Sequence, residues 1–589
     1  MTMRTTKKDN DKSKNSYSTR ASGTRTFADD DRSPFYRHQR CVTPSGSSSR
    51  VRVCEEDNRV FQDAVRECLT TGLEKGSSSP LEPVVNTGDV DAIWTRNGVP
   101  DIPRISRTRL FRLLRAMPKG ALLHAHFPAM VNWDLFLGEA LDAPQLRGKV
   151  YYLRHPNALR AFVTKDPWMR RNPEMRVWSA PSNFARDSLT VFPDPTVPVP
   201  PGWVPLDRGT AASIARKMAS SHSWGALTRN NALPWSLVKH VDGFPLYFRL
   251  LLEQAIADGV QHVELKTNLG NTYVKYGGNG HHYEGRWMSP QDEIDAMLRV
   301  YEDPRFDFQR RITFRLILGA HRTAPPVTLD KRFDAFLQVY RANPGVVRGV
   351  DIFGHEEGGN KNRAYMNTLK NLASRVAGNE QSGFVFSVHS GETAFVEYPV
   401  DDNLLTLTQL DASVRVGHGL SLWKSPKLRD AFAASGKHVE ISPLSNVILG
   451  HVDRVSNHPG LHYYLSDISI SINSDDPAYF GYDFVSYDWF MAVLAWKLQL
   501  QDVVRICEAS IAASALSQPE KAALFDAYNE RLLAFVKDMK KTYVHATASS
   551  AVPRTMGGRS GGQRTKKKRS SSPKTSKGKQ TTSRRYRLL

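Results

Sequence analysis

Eight short apolar or alternating runs recur along the middle of this chain. They are LLHAH (122–126), HVELK (262–266), ITFRLIL (312–318), VVRGVDIF (346–353), FVFSVH (384–389), VRVGH (414–418), HVEIS (438–442) and ISISIN (468–473). Several are nearly continuous in hydrophobicity, as strands covered on both faces are. Helical stretches separate many of them. FPLYFRLLLEQAIADGV (244–260) is one, with apolar residues at helical spacing and a glycine turn before the next run. Eight strands joined by helices predict a (β/α)8, or TIM, barrel. Such a barrel builds its site at the carboxyl ends of its strands, and His126, His389, His418 and Asp475 all stand at that end.

The chemistry suggested by these residue types begins with His124 and His126. On a strand, side chains at i and i+2 share a face, so the two imidazoles sit side by side and Ala125 points away. Neutral imidazole nitrogen is a common zinc ligand; the alternative is a pair of packed or surface histidines. In SVHSGET, His389 offers a third imidazole. Glu392, just past the strand, is a carboxyl whose pKa burial would raise toward that of a proton carrier. His418 lies between Gly417 and Gly419, which permit a sharp turn and close approach of a ligand; taken alone, the motif reads better as a turn with an incidental histidine. The last run ends in Asp475 and Asp476 before Pro477. One carboxylate suits a metal and the other a substrate donor, although Asp-Asp-Pro also fits a plain helix start. Three histidines and one aspartate form a coherent set for a hydrolytic zinc centre, since zinc lowers the pKa of bound water from about 15.7 to about 7. Glu392 would then protonate a ring nitrogen beside the attacked carbon, with His418 and Asp475 orienting hydroxide. HVE occurs at 262–264 and 438–440, but no PCxxC accompanies it, so a cytidine-deaminase type of zinc site is excluded and both read as strand residues.

The net charge of +21 is unevenly placed. Residues 1–53 hold twelve Lys/Arg against five Asp, and residues 551–589 hold thirteen with no acid, leaving about +1 for the rest. Both tails are rich in Ser, Thr, Lys and Arg and read as disordered. Lys566 to Arg569, KKKR, resembles a nuclear-import or polyanion-binding patch, or else a solvated run. Four scattered cysteines are too few for a disulfide framework. No apolar h-region or long apolar span appears, so the expectation is a cytoplasmic or nuclear protein without a membrane partner. Expected domain limits are a disordered 1–53, a barrel over 54–545 and a basic tail over 546–589. A stretch from about 131 to 240 breaks the barrel pattern yet carries six of the eleven tryptophans. It is expected to be an ordered insertion after the first strand, packed over the barrel mouth or else padding the outside of the barrel.

Taken in order, MPKGALLHAH, DIFGHEEGG, SVHSGET, RVGHG, EISPLSN and SINSDDP resemble the strand signatures of the adenosine deaminase family, over roughly residues 117–485. The opening motif and the insertion resemble its growth-factor subgroup. The resemblance implies a barrel of the metal-dependent hydrolase type and one zinc ion per chain on His124, His126, His389 and Asp475. It further implies Glu392 as proton shuttle to purine N1 and His418 as the residue positioning hydroxide at C6. Asp476 would bond N7 and the Gly354 backbone N3, turning adenosine or 2′-deoxyadenosine into inosine and ammonia.

Two features depart from that family. Leu-Asp usually follows the second histidine, and the aspartate contacts ribose. Here Phe127-Pro128 stands instead, and proline offers neither carboxylate nor N–H. Trp224 and His222, in SHSWG, are candidates for the replacement contact. The subgroup is also typically secreted, and no signal peptide is seen. The same barrel acting on AMP or a modified purine is therefore the alternative, and a polyanion-binding or signalling protein using its tails is another. A homodimer stays open.

Overall fold

A computed structural model describes residues 53–70, 99–165, 186–192, 199–231, 233–276, 285–376, 383–393 and 401–550. Residues 1–52 and 551–589, with the KKKR cluster, and Trp168 and Trp178 lie outside the described residues, whereas the start of the expected tail at 546–550 belongs to the helix Gln518–Ser550. All eight expected runs form strands: β1 (Ala121–His126), β2 (His262–Thr267), β3 (Thr313–His321), β4 (Val347–Phe353), β5 (Val385–Ser390), β6 (Val414–His418), β7 (His438–Ile441) and β8 (Ile470–Ile472). They pair in parallel in chain order.

The seam between β8 and β1 closes the barrel. Ala125 and Asp475 form a parallel bridge, with Asp475 N–H donating to His124 O at 3.3 Å and His126 N–H to Asp475 O at 3.4 Å. β8 is only three residues long, so a side chain extends the stitching. Asn473 Oδ1 accepts the backbone N–H groups of Leu123 and His124 at 2.9 and 3.0 Å.

Helices fill the crossovers, and the expected one after the insertion spans Gly243–Ala257. Pro290–Tyr301, between β2 and β3, starts with a reciprocal capping box of Ser289 and Asp292. β2, β5 and β6 are buried along their whole length, as strands walled by helices on one side and filled by side chains on the other should be. A helix before the barrel, Glu55–Thr70, docks on Leu500–Ala513 through Asn58, whose amide bonds Gln499 and whose carbonyl accepts from Leu500 N–H. The compact unit that carries the barrel ends at Lys541, inside the helix Gln518–Ser550.

The stretch after β1 is ordered wherever it is described. It contains a three-stranded antiparallel sheet, Leu189–Val191, Val150–Leu153 and Trp203–Pro205, and the helices Trp133–Asp142, Arg208–Met218 and Trp224–Asn231. Trp133 packs on Tyr479, ring centroids 5.1 Å apart, and Ser221 N–H donates to Tyr479 O at 2.9 Å. Tyr479 follows β8, so the insertion rests on the carboxyl side of the barrel. Among the described residues, no helix is long and apolar enough to cross a membrane.

Candidate active site

Four of the expected ligands converge. The ligand atoms of His124, His126, His389 and Asp475 all lie within 4.8 Å of one another. Asp475 Oδ1 is 3.3 Å from His124 Nε2 and 3.1 Å from His126 Nε2. Those spacings match the edge of a tetrahedron with bonds of about 2.0–2.1 Å, which is about 3.3 Å. Glu392 and His418 complete a second grouping around Asp475, with His418 Nε2 3.6 Å from Glu392 Oε1 and 4.0 Å from Asp475 Oδ2.

The backbone explains how strand ends aim these groups. His418 (φ 66°) and Asp475 (φ 63°) are non-glycine residues in the left-handed region, a conformation that costs of order 1–3 kcal/mol and clusters at functional sites. Each turns the chain sharply off its strand and brings its side chain to the mouth. Gly417 makes room below: a Cβ there would stand 2.9 Å from His124 Cε1.

Two of the three imidazoles are oriented from behind. His124 Nδ1 is 2.9 Å from Glu440 Oε2, and His389 Nδ1 is 3.0 Å from Asp351 Oδ1. A carboxylate can only accept, so Nδ1 carries the proton and Nε2 presents a lone pair. His124 Nε2 is buried and has no hydrogen-bond partner, although it faces a carboxylate oxygen. Two lone-pair bearers aimed at one point call for a cation between them. The residues present therefore fit a divalent metal. Ser445 Oγ donates to Asp475 Oδ2 at 2.7 Å, leaving Oδ1 for the cluster.

Electrostatics agree. Burial alone would lower the His126 pKa, but Asp476 and Asp475 outweigh it and raise it to about 9, so the pocket attracts positive charge. Burial drives His389 down to about 3 despite Asp351, favouring the neutral ligand form. Burial would raise Asp475, but the imidazoles of His124, His126 and His418 around it hold it well below the usual carboxylate range. Glu392 behaves oppositely. Burial, then Asp475 and Glu356, push it well above the ordinary value, which favours its protonated form. Burial and Asp475 raise Asp476 to about 7. The helix start that Asp-Asp-Pro suggested is present, with Asp476 at the N-cap of the short helix Pro477–Phe480, but the Asp476 side chain makes no capping hydrogen bond.

At the mouth, Gly354 ends β4 at φ 105°, and a Cβ there would stand 2.6 Å from His321 Nε2. Trp224 reaches the same rim from the insertion. Its indole N–H donates to His451 Nε2 at 2.9 Å, and His451 Nε2 is 3.7 Å from Glu392 Oε1. The Trp224 N–H is thus engaged, and its ring meets His355 edge-on, 5.3 Å between centroids. His222, half-buried on the preceding turn, makes none of these contacts. Phe127 is buried against Phe244 and Tyr247, ring centroids 5.2 and 5.3 Å away, and Pro128 opens a 3-10 turn.

The sequence reading missed the supporting groups. Glu440 does lie on β7 as expected of HVE, but it also orients His124. Asp351 on β4 orients His389. Lys266 on β2 links them, with Nζ 3.3 Å from Glu440 Oε2 and 3.6 Å from Asp351 Oδ2. Glu356 Oε2 accepts the Glu392 backbone N–H at 2.8 Å. One signal was available: a charged residue inside an otherwise apolar, doubly covered strand has to be paired.

Known proteins place this geometry in a family. The family described as adenosine deaminase matches residues 210–531. Adenosine deaminase 2 of Homo sapiens is 24% identical over 74% of this chain and 81% of its own length. Adenosine deaminase of Lutzomyia longipalpis is 23% identical over 79% of this chain and 85% of its own. A zinc-bound amidohydrolase structure from Burkholderia ambifaria, 19% identical, superposes with a TM-score of 0.51 over 76% of this chain and 100% of its own, which shows the shared barrel. With the family match covering more than half of its length, this chain is a hydrolase of the deaminase type and belongs to the adenosine deaminase family.

Proposed function

We propose that this protein hydrolyses the 6-amino group of adenosine or 2′-deoxyadenosine, giving inosine or 2′-deoxyinosine and ammonia. The observation that carries the reading is the meeting of His124, His126, His389 and Asp475, with the buried carboxyl of Glu392 beside them. Those four side chains would hold zinc, which supplies hydroxide at neutral pH by acidifying water. Glu392 gives its proton to purine N1, drawing electrons from C6 as oxygen adds there. His418 and Asp475 hold the attacking oxygen in line. Asp476, protonated below about pH 7, donates to N7, and the Gly354 backbone meets N3. The two hydrogens of water restore the Glu392 proton and complete ammonia.

A second reading follows from Phe127 and Pro128. Phe127 and Pro128 stand where the family usually carries Leu-Asp, so AMP or a modified adenine compound competes with adenosine as substrate. Incubating zinc-loaded protein with adenosine, 2′-deoxyadenosine and AMP while following ammonia tests both. Release from none of these 6-aminopurines overturns the deaminase proposal, and a clear preference for adenosine removes the alternative.

A further inference from the structure

Behind His418 runs a hydrogen-bond chain whose direction is fixed by a group that can only donate. The backbone N–H of Gly460 lies 3.0 Å from His458 Nδ1. His458 Nδ1 must therefore accept, and its proton sits on Nε2. That nitrogen is 3.0 Å from Asn446 Oδ1, which accepts and so orients the amide. Asn446 Nδ2 is 3.0 Å from His418 Nδ1, and an amide nitrogen only donates. His418 Nδ1 is thus the acceptor, and the His418 proton is on Nε2, the atom that faces Glu392 and Asp475.

The alternatives clash. Turning the Asn446 amide over would set its NH2 against the N–H of His458. Protonating both nitrogens of either histidine would set N–H against N–H. His418, Asn446 and His458 are each no more than 1% exposed, so water cannot substitute for a mismatched partner.

We propose that Asn446 and His458 are positioning residues that lock His418 in its Nε2–H tautomer. His418 then donates a hydrogen bond to the attacking oxygen and offers it no lone pair. The role at the oxygen rests on the deaminase reading, whereas the tautomer itself does not. The decisive variant is Asn446→Asp, which keeps the shape but accepts from both histidines, so it moves the His418 proton to Nδ1.

The test is imidazole 1H–15N correlation spectroscopy of 15N-histidine protein, with His418 signals assigned by their loss in His418→Gln. Wild type should show His418 protonated on Nε2, and Asn446→Asp should show it on Nδ1 with zinc content unchanged. A histidine held in the wrong tautomer costs about 10²–10⁴ in kcat, and KM should move little. Finding Nδ1–H in wild type, or an Asn446→Asp protein that loses activity with the tautomer unmoved, overturns the proposal. If Asn446→Asp does not fold, the wild-type spectrum decides alone. If no 6-aminopurine turns over yet the spectra are as expected, the deaminase reading falls and the tautomer lock stands.

Discussion

The floor and the rim of this pocket are built on different principles. On the floor, His124, His389 and Asp475 sit at the ends of strands or just beyond them, almost fully buried, each tied by a hydrogen bond to Glu440, Asp351 or Ser445. At the rim, Trp224, His355, His451 and Gly354 come from loops and from the insertion, and His355 is exposed. Trp224 meets His355 at 5.3 Å between ring centroids and holds His451 by a single hydrogen bond. Groups that must stay within a fraction of an ångström are carried by the rigid sheet. The rim groups are carried by loops and by the insertion, segments that can vary without disturbing that sheet.

This division predicts a ranking of effects. Removing a floor ligand should cost most: Asp475→Ala is expected to lower kcat/KM by more than about 10⁴, since hydroxide generation is lost, with zinc falling out of stoichiometry in elemental analysis. Glu392→Gln keeps the shape without a transferable proton and should lower kcat by about 10²–10⁴ while zinc content stays at wild-type level. Zinc loss in that variant would blur the line between ligands and proton carrier.

One layer back, Glu440→Gln should weaken zinc binding by about 10–100-fold in chelator competition; an unchanged affinity would show that the floor needs no support from β7. At the rim, Trp224→Ala should raise KM by about tenfold, about 1.4 kcal/mol, and leave kcat and zinc alone. A kcat effect as large as that of Glu392→Gln would erase the distinction.

The smallest effect is a pH dependence. Asp476 has its pKa raised to about 7, and purine N7 can only accept. Below that pH the carboxyl is protonated and donates; above it the donor is lost and KM for adenosine should climb, by at most about tenfold per pH unit. Asn donates at every pH, so Asp476→Asn should give a KM that is flat across the same range.

Much of the floor was legible in the sequence because parallel strands covered on both faces leave unbroken apolar runs, and a polar residue at such a run's end has few uses. The supporting shell was not. Glu440 reads as an ordinary strand residue until β1 is placed so that His124 reaches it. Asn446 and His458 gain their meaning from a backbone amide two residues further on. The contact of Trp224 with His451 joins positions 227 apart, and only the folded insertion brings them together. Local pattern reveals what a strand buries, while pairing across the barrel needs the register.

The stitching of β1 to residues 473–475 also has a consequence in time. His124 and His126 leave the ribosome some 350 residues before the carboxylate that completes their set, an interval of roughly 20–70 s at about 5–20 residues per second. A nascent chain spends that interval with an incomplete cradle, and any product truncated before Asp475 lacks its fourth side chain.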